Sequence, residues 1–258
     1  MRGICRKRSG SGSRKGRISA STTTNSIKLA IAEQRKIRGL HLTFPHTGII
    51  ELLAIVGVDY VYLDGEHGAF DNRDLEYACV TAERHGITAI ARVPDPSAAT
   101  ICRFLDRGVK GIVVPHVDSL ADAKAVIDAA YFGPIGNRSF GGNRPKFTAG
   151  IADMPAHMAQ SNKDMCVSIM IETVGALEAA GDIAALPGID YLSFGMMDLA
   201  QSLGHPGNPG HPDVAAAVED ASRRIRAAGK PVREDFVRVG WINDLIVRGA
   251  RQFFQTEE

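Results

Sequence analysis

The sequence is poor in cysteine, and its four, Cys5, Cys79, Cys102 and Cys166, form no CxxC pair and have no histidine at zinc spacing. That excludes a disulfide scaffold and a structural zinc module. Three of them fall in apolar segments and read as buried free thiols, which suits a reducing, cytoplasmic compartment. No apolar run approaches the ~18 residues that a membrane span needs, so no membrane partner is expected. Acid is missing from residues 1–26, which hold seven basic residues (Arg2, Arg6, Lys7, Arg8, Arg14, Lys15, Arg17). Removing those seven from the chain's 30 basic residues leaves 23 against 29 acidic ones, a net charge of −6 for the remainder. A body of that sign lacks the basic stripe of a nucleic-acid-binding core, and no nucleic-acid partner is expected.

What is present divides the 258 residues into two parts. Residues 1–26, rich in Ser, Gly and Arg, have too little apolar surface to repay ordering and read as a disordered basic tail. Their acid-poor make-up also matches an organellar transit peptide. Residues 27–258 read as one catalytic domain in which β-rich runs alternate with amphipathic helices. Strands are expected at 38–44, 59–64, 87–93, 111–115, 166–172, 190–195, 230–234 and 251–254. Eight β segments separated by helices imply a parallel sheet closed into a (β/α)8 TIM barrel. Residues 131–165 form an unusually long connection, rich in Gly and Pro, with a helix expected from about Thr148. Only "QTEE" follows the eighth expected strand, so the usual C-terminal helix of a barrel is expected to be missing.

Barrel enzymes gather their chemistry at the C-terminal ends of the strands, and this chain places its unusual polar residues there. Asp64, Glu66 and His67 follow the second strand, Arg92 ends the third, Glu172 ends the fifth, and Asp198 lies just past the sixth. Each alone has an ordinary reading, as a turn former, a helix cap or half of an ion pair. His41, His46 and His116 also fall at strand ends and read as wall residues. Two carboxylates with no cysteine nearby suit a hard divalent cation such as Mg²⁺ or Mn²⁺. An arginine supplies a fork for a carboxylate, and a histidine beside an aspartate can move a proton near neutral pH. Together these groups fit proton abstraction next to a carbonyl.

The segments "VDYVYLDGEHGAFD", "ARVPD", "IMIETVGALEAAGDI" and "GMMDLAQSLGHPGNPGHPDV" occur in an order that resembles the HpcH/HpaI family of metal-dependent pyruvate aldolases, over about residues 36–232. The resemblance implies a TIM barrel that adds the enolate of pyruvate to an aldehyde and, in reverse, cleaves a 4-hydroxy-2-oxo acid. Carried onto this chain, it implies Glu172 and Asp198 as ligands of a divalent metal (Mg²⁺, Mn²⁺ or Co²⁺). Arg92 falls on the substrate carboxylate or enolate oxygen, and His67 carries the proton, oriented by Asp64. Gly195, Met196 and Met197 line the pyruvate pocket, and the assembly is a homo-oligomer, typically a hexamer. Three departures reshape the pocket beside the ligands. Met170 stands where the family often has Gln, Met196–Met197 where Pro-Ala is common, and His41 where a Trp is frequent. They keep open a related synthase or lyase on the same site, such as one condensing oxaloacetate. A catalytically silent barrel has the intact set of polar residues against it.

Overall fold

The computed structural model describes residues 25–141 and 153–255; the expected tail up to residue 24 and the start expected near Thr148 lie outside them. Asn25 and Ser26, placed in the tail on sequence, instead cap and begin helix α1 (Ser26–Glu33). The Asn25 side chain accepts from the Ile27 and Lys28 amides and donates to the Lys110 and Asp164 carbonyls. It thereby pins α1 across the base of the sheet.

Among the described residues seven strands follow, all parallel: β1 (Ile37–Leu42), β2 (Tyr60–Asp64), β3 (Thr88–Arg92), β4 (Gly111–Val114), β5 (Cys166–Ile171), β6 (Tyr191–Phe194) and β7 (Val237–Trp241). Their order across the sheet is β6-β5-β4-β3-β2-β1-β7. Between them run α2 (Thr47–Ile55), α3 (Asn72–Arg84), α4 (Ala98–Asp106), α5 (Leu120–Ala130), α6 (Met154–Asp164) and α7 (Val174–Ala185). After β6 come α8 (Met196–Ser202), α9 (Pro212–Ala227) and α10 (Arg233–Phe236), and α11 (Ile242–Gln255) follows β7. Alternate strand residues face opposite ways, as strand geometry requires. Leu40, Leu42, Val61, Leu63, Ile112, Val167 and Ile169 pack outward against the helices. Ile37, Tyr60, Tyr62, Ile90, Val113, Met170, Tyr191 and Phe236 meet in an inner cluster. A cluster fed by β1 through β6 and by α10 requires the sheet to curl around it.

The last two expected strands are corrected. Of 230–234 only Val232 joins the sheet, through one parallel bridge to Leu192, and α10 begins at the next residue. The segment 251–254 is helical, inside α11, and the strand that pairs with β1 is Val237–Trp241. Only the four residues of α10 separate Val232 from β7. A parallel crossover needs a dozen or more, so the chain cannot climb the wall at Val232 and return. It steps sideways along the base instead, Val232 beside Leu192 and Val237 beside Ile37. The result is a curled seven-stranded sheet rather than a closed eight-stranded barrel, with α10 touching both β6 and β7. The expected absence of a C-terminal helix is corrected too, since α11 follows the last strand directly.

Candidate active site

Four strand ends converge at one rim. Parallel registers set Asp64 beside Arg92 and Ile171 beside Phe194, so the residues one step beyond meet around the mouth. Asp64, 1 % exposed, accepts from Arg92 Nε at 3.0 Å and Nη2 at 2.7 Å, the two-pronged contact that a guanidinium is shaped for. It also accepts from the Glu66 and His67 amides, which fixes the turn after β2. That turn is tight. A Cβ on Gly65 would lie 2.6 Å from the Arg92 carbonyl oxygen and 2.5 Å from the Phe104 ring.

His41 is the partner that sequence reading placed only in the wall. Its Nε2 lies 3.1 Å from Asp64 Oδ2, and its ring stacks on Trp241 at 3.8 Å. Burial would raise the Asp64 carboxyl, but the bonds from His41 and Arg92 and the arginine's charge hold it well below the usual carboxylate range. Burial lowers the His41 imidazole, against the pull of Asp64. A neutral ring facing an ionised carboxylate presents Nε2–H, which leaves Nδ1 as its acceptor.

Glu172, one residue past β5, is also buried. The His116 backbone N–H donates to its Oε1 at 2.6 Å, and the His116 ring reaches Glu172 Oε1 and Glu66 Oε1 at 3.2 and 2.9 Å. His116 holds this bridging position with φ at +57°, a left-handed conformation that a non-glycine residue adopts at a cost. Gly195 makes room on the other side, where a Cβ would come 2.8 Å from Glu172 Oε2. Burial raises the Glu172 carboxyl, the His116 amide opposes this, and the nearby charges of Glu66 and Asp198 add to the rise. Asp198 is exposed, on the first turn of α8.

The expected residues are therefore mostly assembled, with two differences in pairing. Asp64 bonds the backbone of His67, whose ring points to solvent, 68 % exposed, with Nε2 4.0 Å from Glu66 Oε1. Arg92 is engaged by Asp64 and, through Nη1 at 3.1 Å, by Glu66. Met196 packs partly on the outer core, Met197 is exposed, and Met170 is buried below Glu172. His116 and Glu66, which tie the two halves of the rim together, had only their strand-end positions as a sequence signal.

The donor set suits a hard cation. Two further carboxylates, Glu66 and Asp198, lie close enough for their charges to be felt at Glu172, and among the described residues no thiolate joins them. Glu66 Oε2 is buried with an ion pair to Arg92 but no aligned hydrogen bond. A second group, His205, His211 and Asp213, also brings its ligand atoms together. There the two rings stack face to face at 3.5 Å, so no one ion can lie in the plane of both. His211 Nδ1 instead accepts from the Asp213 amide and caps α9.

Residues 38–244 match the model of the HpcH/HpaI aldolase/citrate lyase family. The chain is 38 % identical over 207 residues to a 4-hydroxy-2-oxovalerate aldolase of Rhodococcus jostii, covering 80 % of this chain and 79 % of that one. Among solved structures, an HpcH/HpaI aldolase/citrate lyase family protein of Burkholderia cenocepacia matches with a TM-score of 0.82 at 26 % identity, over 90 % of this chain and 99 % of that one. The citrate synthase SbnG matches with a TM-score of 0.79 at 27 % identity, over 91 % and 97 %.

Proposed function

The chain belongs to the HpcH/HpaI aldolase/citrate lyase family, and on that premise we propose that its curled sheet holds a divalent metal through Glu172 and Asp198 and works on the enolate of pyruvate. It is a carbon–carbon lyase of the aldolase type. In the cleavage direction a 4-hydroxy-2-oxo acid yields pyruvate and an aldehyde; in the other direction the enolate carbon attacks the aldehyde. The observation that carries this reading is Glu172, buried at the rim with the charges of Glu66 and Asp198 felt beside it, Glu66 being also the partner of Arg92.

Mg²⁺ or Mn²⁺ would supply Lewis acidity toward the oxygens of the 2-oxo acid. The chain's own groups supply orientation and proton transfer. Gly195, by lacking a side chain, lets Glu172 reach the mouth, and Met196 and Met197 border the pocket next to it. Arg92 puts a fixed positive charge where the substrate carboxylate or its enolate oxygen would bind, and Asp64 with His41 holds that guanidinium in place. His67 stands at the entrance on a turn anchored to Asp64, free to accept a proton from C3 of the 2-oxo acid and return one. Met170 and the likeness to a citrate synthase favour one second reading, a synthase that takes oxaloacetate on the same site. The reduced thiols of Cys102 and Cys166 fit work in the reducing cytoplasm, and a homo-oligomer is the proposed working form.

Deuterium uptake at C3 of pyruvate in D2O, with Mg²⁺ or Mn²⁺ and with chelator, tests the site before any aldehyde is known. Exchange should require the metal, vanish in Glu172→Ala, and fall roughly 10²-fold in His67→Ala while that variant still binds metal. Undiminished exchange in Glu172→Ala would remove the carboxylate from its assigned role. Turnover of oxaloacetate with no exchange into pyruvate would favour the synthase.

A further inference from the structure

β7 ends at the rim in Trp241, the only tryptophan of the chain. Register sets it directly beside His41 on β1, and His41 directly beside Tyr62 on β2. In-register neighbours on parallel strands point to the same face, so three rings stand in a row across the sheet. The His41 imidazole is the middle one. It lies 3.8 Å from the indole, with 21° between the ring planes, and 4.3 Å from the Tyr62 ring. Trp241 is 44 % exposed while His41 and Tyr62 are buried, so the indole is the solvent-facing end of the row. The Thr43 hydroxyl donates to Asn243 Oδ1 at 2.7 Å, which ties the chain just past β7 to the chain just past β1.

Packing alone does not ask for an indole at a half-exposed position, where an aliphatic side chain would leave less apolar surface in water. What a flat ring adds is a face that fixes the plane of the imidazole. The two ring nitrogens are distinct, and turning the ring over exchanges them. His41 has one productive setting, with Nε2 3.1 Å from Asp64 Oδ2. Asp64 in turn holds Arg92 by Nε and Nη2, while Glu66 pairs with Nη1 at 3.1 Å. The guanidinium is thus shared between two carboxylates, and the setting of His41 biases which one it follows.

We propose that Trp241 is a positioning residue of the active site: by stacking on His41 it keeps the imidazole on Asp64, and so keeps Arg92 aimed at the carboxylate of the 2-oxo acid. The proposal rests on the assignment of that carboxylate to Arg92. Without the indole, water reaches the His41 ring, the ring turns, and Asp64 is solvated. Arg92 then follows Glu66. The lost aim weakens the carboxylate's binding in the ground state and the transition state alike, which raises KM and leaves kcat nearly unchanged.

Oxalate, a planar dicarboxylate, tests the aim in the full chain with Mg²⁺ present and without turnover. Calorimetry should show its Kd raised at least tenfold by Trp241→Ala, with most of the loss recovered in Trp241→Phe. Adding Trp241→Ala to His41→Ala should cost nothing further, since both act through one contact. In the deuterium-exchange assay, Trp241→Ala should raise KM for pyruvate by a similar factor and hold kcat within about threefold. The indole also reports on its neighbour, because an imidazolium stacked on it quenches its emission. Burial lowers the His41 imidazole below its ordinary value of 6.5. Near that pH Asp64 stays ionised, Arg92 and Arg233 stay charged and Tyr62 stays neutral. Wild-type emission should therefore fall in one step below pH 6.5, and the step should be missing in His41→Ala. Unchanged oxalate affinity in Trp241→Ala would overturn the proposal, as would an equal loss in the His41→Ala background, emission that ignores His41, or a wild type that binds no oxalate. A wild type that binds oxalate but exchanges no deuterium would count against the pyruvate reading alone, and the affinities would still decide the role of Trp241.

Discussion

Asp64 accepts five hydrogen bonds, from two backbone amides, two guanidinium nitrogens and an imidazole, at a site closed to water. A buried ion pair adds little over a well-packed apolar pair, but removing one partner strands the other charge. Asp64→Asn should therefore cost about 3–5 kcal/mol in urea unfolding, by leaving the Arg92 guanidinium short of a counter-charge. The pH dependence has a definite sign. With its carboxyl held below the usual range in the folded state, Asp64 contributes its full stabilisation above the unfolded value of about 4 and loses it as pH falls through the lower folded value. Wild-type stability should fall more steeply than that of Asp64→Asn on acidification below pH ~4. The strand-end positions of Asp64, Arg92 and Glu172 were legible because alternation in the sequence marks where each strand stops. Their partners were not. That His41 reaches Asp64, or that His116 bridges Glu66 and Glu172, depends on strand register and on a left-handed backbone at His116, and neither leaves a mark in local composition.

At the scale of elements, the six strands from β1 to β6 were readable from β-branched runs bounded by turns, to within a residue or two at each end. The end of the chain misled for a physical reason. "RQFF" is short and apolar like a strand, yet its phenylalanines are in phase with Leu245, Ile246 and Ala250, and the helical period wins when the whole window is counted. "VRVGW" alternates but is only five residues long, and its pairing with β1 is a non-local event. Closure at the base then rests on α10. Phe236, its one buried side chain, meets the Tyr191 ring edge-on at 5.2 Å and joins the inner cluster. Phe236→Ala should cost about 3–5 kcal/mol, the usual range for emptying a buried aromatic site. If α10 is what draws β6 and β7 together, the variant should also lose protection from hydrogen exchange in β7 before β3. Equal loss in both strands would count against that role.

For the molecule as a whole, folding collects Glu66, Glu172 and Asp198 at one mouth and leaves their repulsion only partly offset by Arg92, which Asp64 also claims. The unfolded chain spreads those charges over more than 130 residues and has no such site. A divalent cation that binds between Glu172 and Asp198 thus binds the folded state alone, and it stabilises by RT ln(1 + [L]/Kd), about 2.7 kcal/mol at a hundredfold excess over Kd. For a chain of this size that corresponds to a rise in Tm of roughly 5–10 °C. Calorimetry with Mg²⁺ or Mn²⁺ should show the rise, and matched NaCl should not, because screening weakens repulsion without occupying a site. Glu172→Ala should abolish the shift, while Glu66→Gln, which keeps both proposed ligands, should retain most of it. A shift of full size in Glu172→Ala would place the ion elsewhere, and the cluster at the mouth would then need another explanation for its charge.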